Sequence, residues 1–365
     1  MTIRALSILI VVTVLSAAAA TVVTIRSEGT TAPLTKPEAV FPGLTQHLND
    51  VVRVEIVRAG EKTTLKREGQ GENAPWLLAE AADYPGKIDR IREALIGLAQ
   101  IETTEPKTRL PDHYAKLEVE DPTKPDAKSA RVTLYDAANK KLADLIVGKA
   151  KMSGGSQDAL YIRRPDEARA WLARGKVYIP ENRYGWVDTN MLSVDLLRIK
   201  RATINQPGKP SLSVFKKDPS ERDFTIDNQP PNTEIKDIFG AEDIARIVQS
   251  VNFEDVKPAA EMNVPTDGQP WGEFWTFDGL KISLWLKEVD GKGWAAYQAS
   301  AGDDPKPDEK VQAEIADLNK RLSPWRYQLG NFEMTGLHKT MQDLVEPKKD
   351  AAAAAPATPA KPAAR

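Results

Sequence analysis

Ser213 and Lys216 have the Ser-x-x-Lys spacing that places a lysine near the nucleophile of serine-acylating enzymes. That chemistry uses the spacing where it opens a helix. Here the Ser213–Lys216 segment is half apolar and is predicted to be a strand, and both residue types are common in the chain. We therefore interpret the spacing as a chance match.

The other groups that could support chemistry are scattered. The glycine-rich loop Met152–Ser156 lacks the G-x-x-x-x-G-K-[ST] spacing of a phosphate-binding loop. The carboxylates of Asp303–Glu309 are interrupted by prolines and a lysine, and Asp308 lies where a helix N-cap belongs. The histidines form no H-x-x-x-H pair; they are His47, His113 and His338. The sequence predicts no catalytic residue, no cofactor and no metal ion.

A tryptophan-rich stretch contains the strongest hairpin signal in the chain. Asp278-Gly279 suits a two-residue type I′ turn, because both residues of such a turn take positive φ. This turn would place Phe277 opposite Leu280 and Trp275 opposite Ile282. The register predicts one strongly apolar face that belongs to the core.

Two aromatic residues remain once that core is assigned. The predicted register sends Trp271 and Trp275 inward and leaves Phe274 and Trp285 together on the other face. We interpret Phe274 and Trp285 as a candidate interaction surface, with packing between domains as the alternative.

Composition excludes several functional classes. The 365 residues contain 50 Lys plus Arg and 52 Asp plus Glu, for a net charge of −2. Nucleic acid is not expected as a partner, since it requires a clustered basic excess. Cysteine is absent, which excludes disulfides, thiolate zinc sites and iron–sulfur clusters.

The first 43 residues predict a link to a membrane. Ala5 to Ile25 carries no charge and is bracketed by Arg4 and Arg26, so residues 1–26 are read as a transmembrane anchor, or alternatively as a cleaved signal peptide. Residues 27–43 would form an extended tether. We expect a single-pass protein of the inner (cytoplasmic) membrane, held in lipid by its N-terminal helix, with the bulk of the chain in the periplasm.

Between its two ends, the chain repeats one order of predicted strands and helices. Asp50–Val54 is echoed by Asp195–Ile199, and Trp76–Leu78 by Phe224–Ile226, at nearly constant offset. Each half then has an amphipathic helix and a hairpin. We predict an α+β protein with two similar tandem domains of mainly antiparallel sheet with packed helices, over residues 44–193 and 194–346.

The predicted helices rest on apolar residues at steps of three and four. The stripe of the first half comprises Ile88, Ile91, Leu95 and Leu98, and that of the second half comprises Ile244, Ile247, Val248 and Val251. The Ala/Pro/Lys-rich end, residues 347–365, is predicted to be disordered because its prolines break helix and it has little apolar surface to bury.

Short motifs in both halves carry a family resemblance. They are Phe41-Pro42-Gly43-Leu44, Trp76, Tyr84-Pro85, Lys107-Thr108, Tyr114-Ala115-Lys116-Leu117, Asp121-Pro122, Gly148, Gly185-Trp186-Val187-Asp188, Thr276 to Leu280, and Trp325-Arg326-Tyr327. With these motifs, residues 41 to 345 resemble the bacterial domain-of-unknown-function family 4340. The motifs look structural, and none is catalytic.

The resemblance implies a role beside a transporter. Members of the family are typically membrane-anchored and are often encoded beside ABC transporters of the gliding-motility type. We therefore expect a non-enzymatic extracytoplasmic accessory or scaffold protein whose partner is an ABC transporter permease or another envelope protein. The alternatives are a periplasmic glycan- or peptide-binding module and an envelope hydrolase.

Overall fold

The computed structural model describes residues 36–69, 71, 73–153, 156–237 and 239–348. Its sheets are antiparallel throughout and a smaller share of the chain is helical, which confirms the α+β class. The predicted anchor (1–26) lies outside the described residues, as do the tether before Lys36 and the tail after Lys348. Within residues 36–348, as far as they are described, no helix is long and apolar enough to cross a membrane.

The chain divides into two compact units between Asp188 and Thr189. The sequence pattern places the boundary slightly later, between residues 193 and 194. The reason for the difference is the short strand Asn190–Leu192, which pairs with the strand Val251–Pro258 and so belongs to the second sheet.

Unit 1 contains a sheet of ten strands in its described residues. The strands are β1 (Glu38–Ala39), β2 (Arg53–Arg58), β3 (Glu61–Arg67), β4 (Trp76–Leu78), β5 (Tyr84–Pro85), β6 (Glu102–Pro106), β7 (Ala130–Tyr135), β8 (Lys141–Ser153), β9 (Ser156–Arg163) and β10 (Ala170–Arg174). Its α-helices are α1 (Ile88–Gln100) and α2 (Tyr114–Leu117), and its 3₁₀ turns are Leu44–Asp50, Ala79–Ala81, Pro111–His113 and Arg183–Trp186.

Unit 2 contains a nine-stranded sheet and a separate strand pair in its described residues. The strands are β11 (Asn190–Leu192), β12 (Ile199–Ile204), β13 (Leu212–Phe215), β14 (Thr225–Ile226), β15 (Thr233–Ile235), β16 (Val251–Pro258), β17 (Gly272–Thr276), β18 (Leu280–Val289), β19 (Lys292–Ala301), β20 (Trp325–Leu329) and β21 (Val345–Pro347). The helices are α3 (Gly240–Ala245), α4 (Glu309–Leu322), α5 (Asn331–Leu337) and α6 (Met341–Leu344), with 3₁₀ turns at Leu196–Arg198 and Arg246–Val248.

The two large sheets share one connectivity. Unit 1 has the order β1-β6-β10-β9-β8-β7-β2-β3-β4-β5, and unit 2 has β11-β16-β20-β19-β18-β17-β12-β13-β14. Each strand of the second sheet therefore corresponds to the strand numbered ten lower in the first. In both units a helix follows the fifth strand and leads into the sixth, α1 before β6 and α3 before β16.

The hairpin β17–β18 differs from its prediction by one residue in register. Phe274 pairs with Ile282 and Trp275 with Lys281, so the loop is the three residues Phe277 to Gly279. The hydroxyl of Thr276 accepts the Leu280 backbone N–H at 2.8 Å and closes this longer loop, in which Gly279 has a φ of 91°. A one-residue slip moves every side chain of one strand to the other face.

The second-half helix is also shorter than its pattern suggests. Ile244 is in α3, and Ile247 and Val248 are in the 3₁₀ turn that follows it. Val251 instead begins β16, where it is fully buried. Short apolar runs are ambiguous between helix and strand, and here pairing with β11 and β20 determines the outcome.

Candidate functional site

The structure buries both residues of the predicted interaction surface, so that prediction is wrong. Phe274 is 0% exposed and shares its face with Ile282. Trp285 is 8% exposed on the opposite face of the sheet, packed against Met262 and Val264. The segment between β16 and β17 covers this face, and the Trp285 indole N–H donates to the Gly268 carbonyl at 2.9 Å. Both aromatics are core residues of unit 2.

The register also reverses the prediction for Trp275. Its side chain is half-buried, and the Lys281 Nζ lies 5.0 Å from its ring centroid. Trp271 is likewise half-buried, with its ring 5.6 Å from that of His338. Of these four aromatic residues, the two predicted to be inside are therefore the more exposed.

A more open surface lies on α1 in unit 1. The helix buries Ile91, Leu95 and Leu98, as its apolar spacing predicts. Ile96 falls outside this stripe and is 45% exposed. Ile96 lies between two surface depressions, and we take this part of the helix as a candidate for contact with another molecule.

A cleft of about 150 Å³ lies on one side of Ile96. Its lining comprises Leu48, Asn49, Arg67, Trp76, Arg92, Leu95 and Ile96. Among these residues, the charged side chains are both arginines. The floor is apolar and aromatic, because β4 contributes Trp76 and α1 contributes Leu95, both of them buried.

The two arginines are held in place by the backbone and side chains around them. Arg67 lies at the end of β3, where Nη1 donates to the Asn49 carbonyl at 2.8 Å and Nη2 to the Gly71 carbonyl. Its Nε is buried and has no partner among the described atoms. Arg92 Nη2 donates to the Asn73 side-chain oxygen at 3.1 Å, and Arg92 Nη1 lies 3.9 Å from Asp89.

A wider groove of about 780 Å³ adjoins the cleft and shares Arg92 and Ile96 with it. The other lining residues are Asp89, Glu93, Gly97, Gln100, Glu102, Arg174, Gly175 and Lys176. Gly97 allows α1 to lie close to the segment that follows β10, since a Cβ at position 97 would lie 2.2 Å from the Lys176 carbonyl oxygen. We call the cleft and the groove together the α1 face.

Unit 2 contains a cluster of buried titratable side chains whose pKa values are raised. Burial raises the pKa of Glu333, and the nearby Glu254 carboxylate adds to this increase. Burial, with a contribution from Glu333, also raises the pKa of Tyr297 well above its ordinary value. Gln328 Nε2 donates to Glu254 Oε2 at 2.7 Å.

A helix-capping role accounts for this cluster better than catalysis does. Glu333 is in the first turn of α5 and accepts backbone N–H groups from Gly330 and from itself. The Tyr297 hydroxyl is buried without a partner among the described atoms. A general acid must reach substrate, and both side chains are buried within unit 2.

The other candidate motifs take structural positions. Ser213 lies in β13, where its hydroxyl contacts Thr203 and Arg201. The buried Lys216 ammonium packs on the Phe224 ring instead. Ser213 and Lys216 therefore do not contact each other. Asp308 caps α4, as predicted, because its Oδ1 accepts a hydrogen bond from the Val311 N–H at 2.9 Å.

The histidines are separate from one another. His47 bonds to Asp50, and His338 lies between Glu288 and the Met334 carbonyl. Within the described ranges, no group of three His, Asp or Glu side chains is placed to hold a metal ion. Part of the Met152–Ser156 loop lies outside those ranges.

Sequence reasoning missed Arg67, Trp76, Arg92 and Ile96 as parts of one site. The available signal was Ile96, an apolar residue outside the helix stripe. No spacing rule joins the end of β3 to the middle of α1, so the convergence appears only in the folded unit.

Comparison with known proteins identifies a family. The model of the family described as "Domain of unknown function (DUF4340)" matches residues 76–267, more than half of the chain. No curated protein and no solved structure matches the chain at a significant level. The matched range includes Trp76 and α1 and extends into unit 2. The chain belongs to the DUF4340 family.

Proposed function

We propose that this protein is a membrane-anchored extracytoplasmic accessory protein of an ABC-type transport system and that it acts by binding an envelope protein rather than by catalysis. Residues 1–26 form the anchor in lipid, and the two units work in the periplasm. Their shared connectivity supports an origin by duplication. The partner is the transporter permease or another protein of the same membrane.

The observation that carries the proposal is the α1 face. It is an open surface on which the partly exposed Ile96 lies among charged residues, and we assign the contact with the partner to it. The uncharged run from Ala5 to Ile25 supports the anchor, because it is long enough to cross the hydrocarbon core.

The alternatives have less support. A glycan-binding module would need exposed aromatic side chains on which a sugar could stack, and its two candidates, Phe274 and Trp285, are buried. An envelope hydrolase would draw on Glu333, whose carboxylate is buried and caps α5.

Chemical crosslinking and affinity purification from the native host test the proposal. Full-length protein is compared with a variant that lacks residues 1–30 and is exported by a cleavable signal peptide. We expect the full-length protein to recover the permease and ATPase subunits of a transporter and the deletion variant to lose them. An exported deletion variant that stays soluble and still performs the cellular role would overturn the membrane-bound function.

A further inference from the structure

We propose that Lys257 and Arg326 of unit 2 form a binding site for a phosphate group. The two residues lie directly opposite each other on the neighbouring strands β16 and β20. The site goes beyond the function proposed above, which uses the α1 face of unit 1. The phosphate group is either free phosphate or the head group of a lipid.

A β-bulge brings the two cations to facing positions. The register between β16 and β20 shifts by one residue between Phe253 and Asp255. Without that shift, Val256 would lie opposite Arg326. With the shift, Lys257 has that position, and the two long cationic side chains share one face of the sheet. Bulges re-aim side chains in this way and are common beside functional sites.

The two positive charges have no acidic partner. Directly opposite residues have Cβ atoms about 4.5–5.5 Å apart, and like charges there repel each other. In the described part of unit 2, no carboxylate forms an ion pair with Lys257 or Arg326. By contrast, Arg198, Arg201 and Arg246 of the same unit each have a carboxylate partner. An anion between the two cations would remove the repulsion.

The contacts of Arg326 leave one part of its guanidinium for a ligand. Nη1 donates to the carbonyls of Ser323 and Trp325, at 3.2 and 2.7 Å. Nε is enclosed and has no partner among the described atoms. Burial lowers the pKa of Arg326, because the surroundings solvate the charge less well than water does. Nη2 donates to no described residue, so it is the nitrogen available to an anion.

An aromatic ring holds Lys257 in place. Its Nζ lies 4.9 Å from the ring centroid of the buried Trp294. A cation–π contact orients an ammonium group without neutralising its charge. Asp255, two positions earlier in β16, accepts the Val256 N–H through Oδ1 and can balance at most one of the two positive charges. A net positive charge therefore remains in the site.

The arrangement of the donors favours phosphate over carboxylate. A carboxylate binds a guanidinium best through two parallel N–H groups. Arg326 cannot provide such a pair, because Nη1 is bonded to backbone carbonyls and Nε is enclosed. The site instead provides two separate donors, Arg326 Nη2 and Lys257 Nζ. A phosphate monoester carries a charge of about −1.5 to −2 at pH 7 and has three acceptor oxygens, so it can contact both donors at once.

Isothermal titration calorimetry of the full-length protein in a non-ionic detergent tests the site. Sodium phosphate is titrated at pH 7, and sodium acetate is titrated separately at the same ionic strength. We expect phosphate to bind at least about tenfold more tightly than acetate, because acetate offers fewer oxygens and less charge. The affinity for phosphate should fall as salt is raised.

Two variants locate the binding. Lys257→Met and Arg326→Met should each weaken phosphate binding by about tenfold or more, because each removes one of the two charged donors. The matched control is Lys281→Met. Lys281 also lies over a tryptophan of this sheet, 5.0 Å from the Trp275 ring centroid, but it is paired with Glu273 at 2.7 Å. We expect this control to bind phosphate as the parent protein does.

Two lipids of equal chain length distinguish the sources of the phosphate group. Short-chain phosphatidic acid has a phosphate monoester as its head group, whereas short-chain phosphatidylcholine does not. Each is added to the micelles before phosphate is titrated. Tighter binding of phosphatidic acid than of free phosphate would assign the site to a lipid head group, and equal or weaker binding would assign it to free phosphate. Phosphatidylcholine should not compete.

Equal binding of phosphate and acetate, or no binding of either, would overturn the inference. So would equal losses of affinity in Lys257→Met and Lys281→Met, or equal competition by the two lipids. If Arg326→Met does not fold, because it loses the bonds of Nη1 to the backbone, the comparison of the two lysine variants still decides. Recovery of transporter subunits is measured independently, so either proposal can fail alone.

Discussion

Arg198 and Glu314 are joined by two hydrogen bonds in unit 2, from Nη1 to Oε1 at 2.9 Å and from Nη2 to Oε2 at 2.8 Å. Arg198 Nε also donates to Asp278 in the β17–β18 turn at 2.8 Å. In unit 1, Arg53 at the start of β2 donates to Asn139 in the β7–β8 turn. An arginine contacts the turn of the corresponding hairpin in both units: Arg53 is the first residue of β2, and Arg198 immediately precedes β12.

The Arg198 contact predicts a measurable loss of stability. Hydrogen bonding to Glu314 raises the pKa of Arg198 further above its already high ordinary value, so the contact is one between full charges. Arg198→Met leaves Glu314 and Asp278 without it, and we expect a loss of about 1.5–3 kcal/mol in the free energy of unfolding. The measurement is urea denaturation followed by tryptophan fluorescence.

Lys66→Met is the matched control for that experiment. Lys66 and Asp83 form a pair in unit 1 whose side chains are 46% and 48% exposed, compared with 28% and 30% for Arg198 and Glu314. Exposed pairs of this kind contribute about 0.2–1 kcal/mol. Equal losses in the free energy of unfolding of the two variants would mean that the hydrogen bonds of Arg198 stabilise the protein no more than an ordinary exposed ion pair does.

Glu333 predicts a pH-dependent gain from Glu333→Gln. Burial, together with repulsion from Glu254, raises the pKa of Glu333 in the folded state. An acid whose folded pKa exceeds its unfolded pKa costs stability once the pH rises through the unfolded value, near 4.3 for glutamate, and this cost persists at higher pH. Glutamine avoids the cost and can still accept the Gly330 N–H.

We therefore expect Glu333→Gln to have a higher thermal midpoint than the parent protein at pH 7. The difference should shrink as the pH falls below about 4, where the parent carboxyl is protonated in both states. Differential scanning fluorimetry across this pH range measures both quantities. A variant less stable than the parent at pH 7 would show that the charged carboxylate is stabilising where it lies.

The three-residue turn of the β17–β18 hairpin predicts a specific glycine requirement. Gly279 has a φ of 91°, and a Cβ there would lie 2.5 Å from the Pro305 carbonyl oxygen. Gly279→Ala therefore combines backbone strain with a steric clash. Gly208→Ala is the control, since Gly208 has a φ of 73° but nothing within 4 Å of its Cβ position.

We expect Gly208→Ala to cost about 1–2 kcal/mol for the left-handed backbone alone. Gly279→Ala should cost clearly more, because the neighbouring chain must move as well. Thermal midpoints of the two variants provide the comparison. Equal decreases in the thermal midpoint would indicate that the segment around Pro305 moves to accommodate the Cβ without a measurable loss of stability.

Periodicity predicted the elements of this fold better than their pairing. The helix stripe of Ile91, Leu95 and Leu98 and the N-cap at Asp308 follow from local spacing and appear as expected. The register of β17–β18 does not, because the Thr276 hydroxyl closes a three-residue loop where Asp278-Gly279 suggests a two-residue turn. That one position decides which side of the sheet Phe274 occupies.

The candidate site was less predictable from sequence because it depends on contacts between distant segments. Arg67 reaches the cleft from β3, Trp76 from β4 and Arg92 from α1. Trp285 shows the converse problem, since strand alternation places it on the other face but cannot show that the segment containing Met262 and Val264 covers that face.

Site-specific photocrosslinking in the native host tests the central claim most directly. A photoreactive phenylalanine analogue replaces Ile96, 45% exposed on the α1 face, or Leu197, 66% exposed in unit 2, in the full-length protein. The account predicts a crosslink from position 96 to a transporter subunit and none from position 197. Copurification of the transporter without a crosslink from position 96, or equal crosslinks from both positions, would contradict it.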